Sequence, residues 1–101
     1  MIIIHATCKD QTEADMVSRL ILEHKLAAVV HKWPTHALYA SAHGIHEMHA
    51  YYLLIQTLET KLQAIEEVIE QARSYTTPFV GTVDVRRVNH AYKERVAAIL
   101  H

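Results

Sequence analysis

Four of the chain's nine histidines fall within one stretch, HALYASAHGIHEMH, His36 to His49. Imidazole is a ligand for copper and zinc, and a site needs two to four imidazole, thiolate or carboxylate donors converging at about 2.0–2.3 Å from the ion. His43, His46 and His49 recur at every third residue. On a strand, alternation puts His43 and His49 on one face and His46 on the other. A turn at Gly44 instead brings His43 and His46 together at its tip. His31 and His36 precede the stretch's midpoint and lie opposite part of this set if the segment is a hairpin. The candidate metal ligands are therefore His31, His43, His46 and His49. The competing reading is a row of solvent-facing imidazoles, because the spacing matches no recognised ligand motif.

Other reactive groups are sparse. Cys8 stands where an opening strand meets the start of a helix, a position that can activate a thiol, although a lone cysteine more often serves as a small packing residue. Asp84 and Glu47 are isolated carboxylates. No nucleophile–base pair, glycine-rich phosphate loop or paired-carboxylate motif is present, so neither an enzymatic reaction nor an organic cofactor is expected. Histidines 5, 24, 90 and 101 read as isolated surface residues.

The elements that must position these groups follow from the pattern. IIIHATC is a β-branched opening strand. Asp10 with Glu13 three residues later resembles a capping box, and Ala14, Val17, Leu20 and Ile21 give residues 11–25 helical periodicity. LAAVVHKW is a second strand, which meets Pro34 and so requires an edge, bulge or bend there. AYYLLIQT is strand-like, and Gly44 marks a turn between it and Tyr39, which makes a long hairpin. A helix through residues 36–49 is the alternative, weakened by Gly44. Thr60 and Gln63 form a second capping-box pattern, before a helix with Leu62, Ile65, Ile69 and Ala72 on one face that ends around Arg73 to Tyr75. FVGTVDV alternates, with Phe79, Gly81, Val83 and Val85 expected on the buried side. Asn89 caps a last helix with Tyr92, Val96 and Ile99 inward. The order β-α-β-β-α-β plus a terminal helix predicts an α+β, ferredoxin-like sandwich.

Length and composition set the outer limits. The 101 residues make one domain, 1–101, and half of them are hydrophobic, with only two glycines and two prolines, which argues against disorder. No apolar run approaches the roughly 18 residues of a membrane span. Ten basic and eleven acidic side chains are mixed along the chain, leaving no basic stripe for nucleic acid. MIIIHATC carries neither a basic leader nor a cleavage pattern, and a single cysteine cannot form an internal disulfide, so a cytoplasmic setting is expected.

Residue by residue, the chain resembles the CutA family of divalent-cation tolerance proteins almost end to end. The resemblance rests on the opening II, LEHKLAAVVHKWP after the first helix, Tyr39 and LLIQT in the hairpin, SYTTPFVGTVDV, and the short last helix. KLAA and the Tyr75–Pro78 spacing are its most specific marks. It implies a ferredoxin-like subunit in a tight homotrimer, with the long hairpins reaching neighbouring subunits and the sheets gathered around a threefold axis. It further implies a link to copper and other divalent metals, with no established reaction. Trimer symmetry can also bring one histidine from each subunit to an axis. The similar PII signalling trimers bind small regulators between subunits.

The chain also departs from that pattern. The family's usual cysteine before strand two is Val29, its aromatic hairpin tip is YASAHG, and the lysine before Thr57 is Gln56. The HPYE-PE run is RSYTTPF, which removes a histidine and two acids at Arg73, Thr76 and Phe79. The first expectation is a cytoplasmic homotrimer that binds divalent copper or zinc weakly and serves metal homeostasis. The second is a PII-like trimeric regulator with a small molecule or protein in an intersubunit cleft. A third is a structural trimer that has lost its ligand. The missing cysteine and cleft charges favour the second and third over unaltered inheritance of the first.

Overall fold

A computed structural model describes residues 1–72 and 79–100. Its elements run β1 (Ile2–Cys8), α1 (Gln11–Glu23), β2 (Val29–Ser41), β3 (Gly44–Thr57), a 3₁₀ turn (Glu59–Lys61), α2 (Leu62–Ala72), β4 (Val80–Asp84) and α3 (His90–Leu100). The strands form one sheet in the order β2-β3-β1-β4. All neighbours are antiparallel. This is the expected ferredoxin-like sandwich with an added C-terminal helix.

One face of the sheet carries the core. Ile2, Ile4, Ala6 and Cys8 of β1 stand beside Thr57, Ile55, Leu53 and Tyr51 of β3. The first seven of these are buried, and Tyr51 packs against the cluster. Ala14, Val17 and Ile21 of α1 and Ile65 and Ile69 of α2 close over them, as the helical spacing predicts. Each isoleucine, leucine or valine among them contributes about 1.5–3 kcal/mol on full burial.

The helix ends differ in how they follow the sequence. Asp10 occupies the N-cap of α1 and its Oδ1 accepts from the Glu13 backbone N–H at 2.9 Å. The helix stops two residues earlier than residues 11–25 because Lys25 turns left-handed, at φ 54°. Lys25 N–H then donates to the Leu22 carbonyl and Leu26 N–H to that of Ile21 at 2.9 Å, the bond pair of a Schellman cap. Thr60 lies inside the 3₁₀ turn that leads straight into α2, so the second capping box does not open that helix. The expected end of α2, and Tyr75, Pro78, Arg73 and Thr76, lie outside the described residues.

β4 corrects the sequence reading. Its register pairs Val80, Thr82 and Asp84 with Ala6, Ile4 and Ile2, which are helix-side residues. Val80 therefore packs on the core, while Phe79 and Val83, expected inward, are 55% and 54% exposed on the opposite face. In α3, Val96 is buried as predicted, Leu100 rather than Ile99 is its buried companion, and Tyr92 donates to Gln56 Oε1.

Candidate metal site on the hairpin

The hairpin ladder runs without interruption from Val29–Gln56 to Ser41–Gly44. That excludes the helical alternative for residues 36–49. Pro34 is accommodated because β2 is an edge strand. The turn residues are Ala42 and His43, and the positive φ it requires falls on Gly44, at 120°. Ser41 fastens the turn, its Oγ accepting from His43 N–H at 3.1 Å and lying 2.7 Å from His46 Nε2.

This register decides which imidazoles meet. His36 and His49 are direct cross-strand partners, with ring centroids 4.6 Å apart and planes only 9° from parallel. Glu47 joins them on the same strand face, its Oε2 3.3 Å from His36 Nε2. By alternation this trio lies on the helix side of the sheet, beyond the part that the helices cover. His49 also borders a small cleft of about 170 Å³ shared with Lys9, Asp10 and Gln11 at the start of α1.

The other candidates are placed apart. His46 faces the opposite side, stacked on Tyr39 with centroids at 5.3 Å. The sequence expectation that His46 and His49 point to opposite faces is thus met, while His43 sits in the turn itself. His31 pairs with Leu54, eight rungs below the Tyr39–His46 pair. At about 3.3 Å per residue it lies roughly 26 Å from His46 along the strand. Within one chain the four predicted ligands do not converge. Among the described residues, no group of three His, Cys, Asp or Glu side chains stands ready to hold a metal ion. What a single chain offers is the His36–His49 pair with a carboxylate alongside.

The sequence places His36 opposite part of the histidine set without assigning it as a ligand, and Glu47 reads there as an isolated carboxylate. Counting outward from a two-residue turn at Ala42–His43, rather than from Gly44, pairs His36 with His49 and would have found both. The remaining histidines are dispersed. His5 Nδ1 lies 2.8 Å from the Tyr52 hydroxyl, and Tyr52 stacks on Trp33 at 5.0 Å, forming an aromatic row on the sheet face away from the helices. His90 contacts Glu94 at 3.0 Å one turn along α3. His101 lies outside the described residues. No described helix is long and apolar enough to cross a membrane.

Comparison with known proteins gives a consistent result. Residues 2–98 match the family model described as CutA1 divalent ion tolerance protein. The divalent-cation tolerance protein CutA of Thermococcus kodakarensis is 27% identical over 99 residues, covering 98% of this chain and 95% of that protein. Among solved structures, the periplasmic divalent cation tolerance protein CutA of Archaeoglobus fulgidus superposes with a TM-score of 0.94 at 22% identity, over 100% of both chains. CutA1 of Pyrococcus horikoshii gives 0.92 at 24% identity, over 100% of this chain and 99% of that one. At these identities the two structures speak for the fold.

Proposed function

The chain belongs to the CutA1 divalent ion tolerance protein family, and on that premise we propose that it binds divalent copper or zinc weakly, as a homotrimer, and serves metal tolerance. The observation that carries the metal assignment is the His36–His49 pair with Glu47 beside it. Borderline ions favour imidazole, and two imidazoles with one carboxylate make up most of a four-coordinate set. The stacked rings must rotate to turn their nitrogens on one ion, and the remaining donor comes from water or from a neighbouring chain. Both requirements keep the affinity modest. His46, stacked on Tyr39, and His43, in the turn, stand apart from this pair, and His31 takes no part in the same site.

The trimer is supported by apolar side chains that one chain leaves in water. Leu38 and Ile45 near the hairpin tip are 68% and 79% exposed, and Trp33, Phe79 and Val83 are exposed along the sheet. Large apolar side chains left exposed on both faces of the sheet are candidates for cover by neighbouring subunits. The setting we assign is the cytoplasm, consistent with the chain's single cysteine. Cell fractionation distinguishes it from the periplasm named for the Archaeoglobus protein.

Isothermal titration with Cu²⁺ and Zn²⁺ at about pH 7.5 and about pH 5.5 tests the metal reading, because only neutral imidazole binds metal. Binding at the higher pH that fades at the lower one is expected. Absence of heat for both ions at the higher pH contradicts it.

A further inference from the structure

A second feature lies at the opposite end of the molecule from the hairpin tip. Where β4 passes into α3, a pocket of about 300 Å³ is lined by Met1, Val85, Arg86, Arg87, Val88 and Lys93. Three of the six, Arg86, Arg87 and Lys93, have basic side chains, all exposed. None of their side chains forms an ion pair or hydrogen bond with another described residue. Of the acids nearby in sequence, Glu94 is engaged by His90, and Asp84 ends β4 with an exposed side chain.

The backbone around the pocket is anchored. Val85 N–H donates to the Met1 carbonyl at 3.0 Å, extending the β1–β4 pairing into the loop, and Lys93 N–H donates to the Asn89 carbonyl at 3.1 Å, opening α3. The two arginines and the lysine are thus carried on short, tied segments and surround one depression. The first turn of α3 holds no acidic residue, so nothing there offsets the cations.

Three unpaired like charges around one hollow select a multiply charged anion. Arginine presents planar forks that match the paired oxygens of a phosphate, and lysine adds a point charge. The volume is at the small end of ligand pockets, which run from about 300 to 1,000 Å³, and suits a phosphate group or pyrophosphate more than a whole cofactor. From this we propose that the Arg86–Arg87–Lys93 pocket binds a phosphate-bearing small molecule. The inference is independent of the metal reading. The hairpin tip is thirteen residues away along β3 from Thr57, next to this end of the sheet, which is roughly 40 Å.

Isothermal titration of chelator-treated, dialysed protein with inorganic pyrophosphate, ATP and citrate tests it. Both phosphate compounds should bind in about 50 mM NaCl and weaken about tenfold or more in about 500 mM, as expected for exposed charges. Arg86→Ala with Arg87→Ala should weaken pyrophosphate about tenfold or more without moving the melting temperature, and the double lysine substitution should recover part of the loss. Arg19→Ala, on α1, should change nothing. ATP binding no tighter than pyrophosphate assigns recognition to the phosphates alone, whereas tighter ATP binding extends the same site to the nucleoside. The proposal is overturned if neither phosphate compound binds at about 10 mM, if citrate binds as tightly as pyrophosphate, or if the Arg86/Arg87 variant keeps wild-type affinity.

Discussion

Thr57 shows how one side chain can join two elements. It is fully buried at the end of β3, and its hydroxyl donates to the Leu26 carbonyl at 2.5 Å, tying the sheet to the segment that leaves α1. Thr57→Val keeps the shape and removes the donor. Losing a buried hydrogen bond of this kind costs about 1–2 kcal/mol. In a domain of about 100 residues each kcal/mol lowers the melting temperature by about 4–8 °C. Thermal unfolding at fixed protein concentration checks this, and an unchanged melting point contradicts it. Residue identity alone marked Thr57 only as part of LLIQT, since its partner lies 31 positions away. The same limit applies to the histidines. Their types were legible as ligands, but which of them meet depends on a register that one residue's shift in the turn reverses. Sequence spacing alone therefore does not single out His36 and Glu47, and it puts His31 with residues that the register places far along the strand.

At the scale of elements, local patterns predicted existence and order well and boundaries less well. The apolar spacing of α1 and α2 matched their buried faces because a helix on a sheet has a single inward stripe. β4 failed the same test because both of its faces bear apolar side chains, and only pairing with β1 reveals which is inward. Lys25 is where the end of α1 went unread. Its left-handed φ of 54° forms the Schellman cap in the place usually given to glycine. Lys25→Gly should therefore stabilise the protein by about 0.5–1 kcal/mol despite the greater freedom of glycine in the unfolded chain. Urea unfolding measures it, with a raised midpoint and unchanged slope expected. A lowered midpoint contradicts the assignment of strain to this residue.

The whole molecule is shaped by its hairpin. The chain spans 48 × 26 × 21 Å with a radius of gyration of 14.5 Å, against about 13 Å for a compact domain of this length. The excess is the β2–β3 arm, whose tip offers Leu38 and Ile45 to water. In the proposed trimer these residues are covered by neighbouring subunits, so Leu38→Asp with Ile45→Asp should shift the mass in light scattering from three chains towards one. A variant with the wild-type mass contradicts that role. The arm also carries the proposed divalent-metal site, the cross-strand pair His36 and His49. The most direct measurement is a zinc titration at about pH 7.5, where imidazole is largely neutral, of the wild-type protein, His36→Ala with His49→Ala, and His43→Ala with His46→Ala. The first double variant is expected to lose at least about tenfold in affinity, having lost both imidazole ligands, while the second loses less. Wild-type affinity in the His36/His49 variant contradicts it.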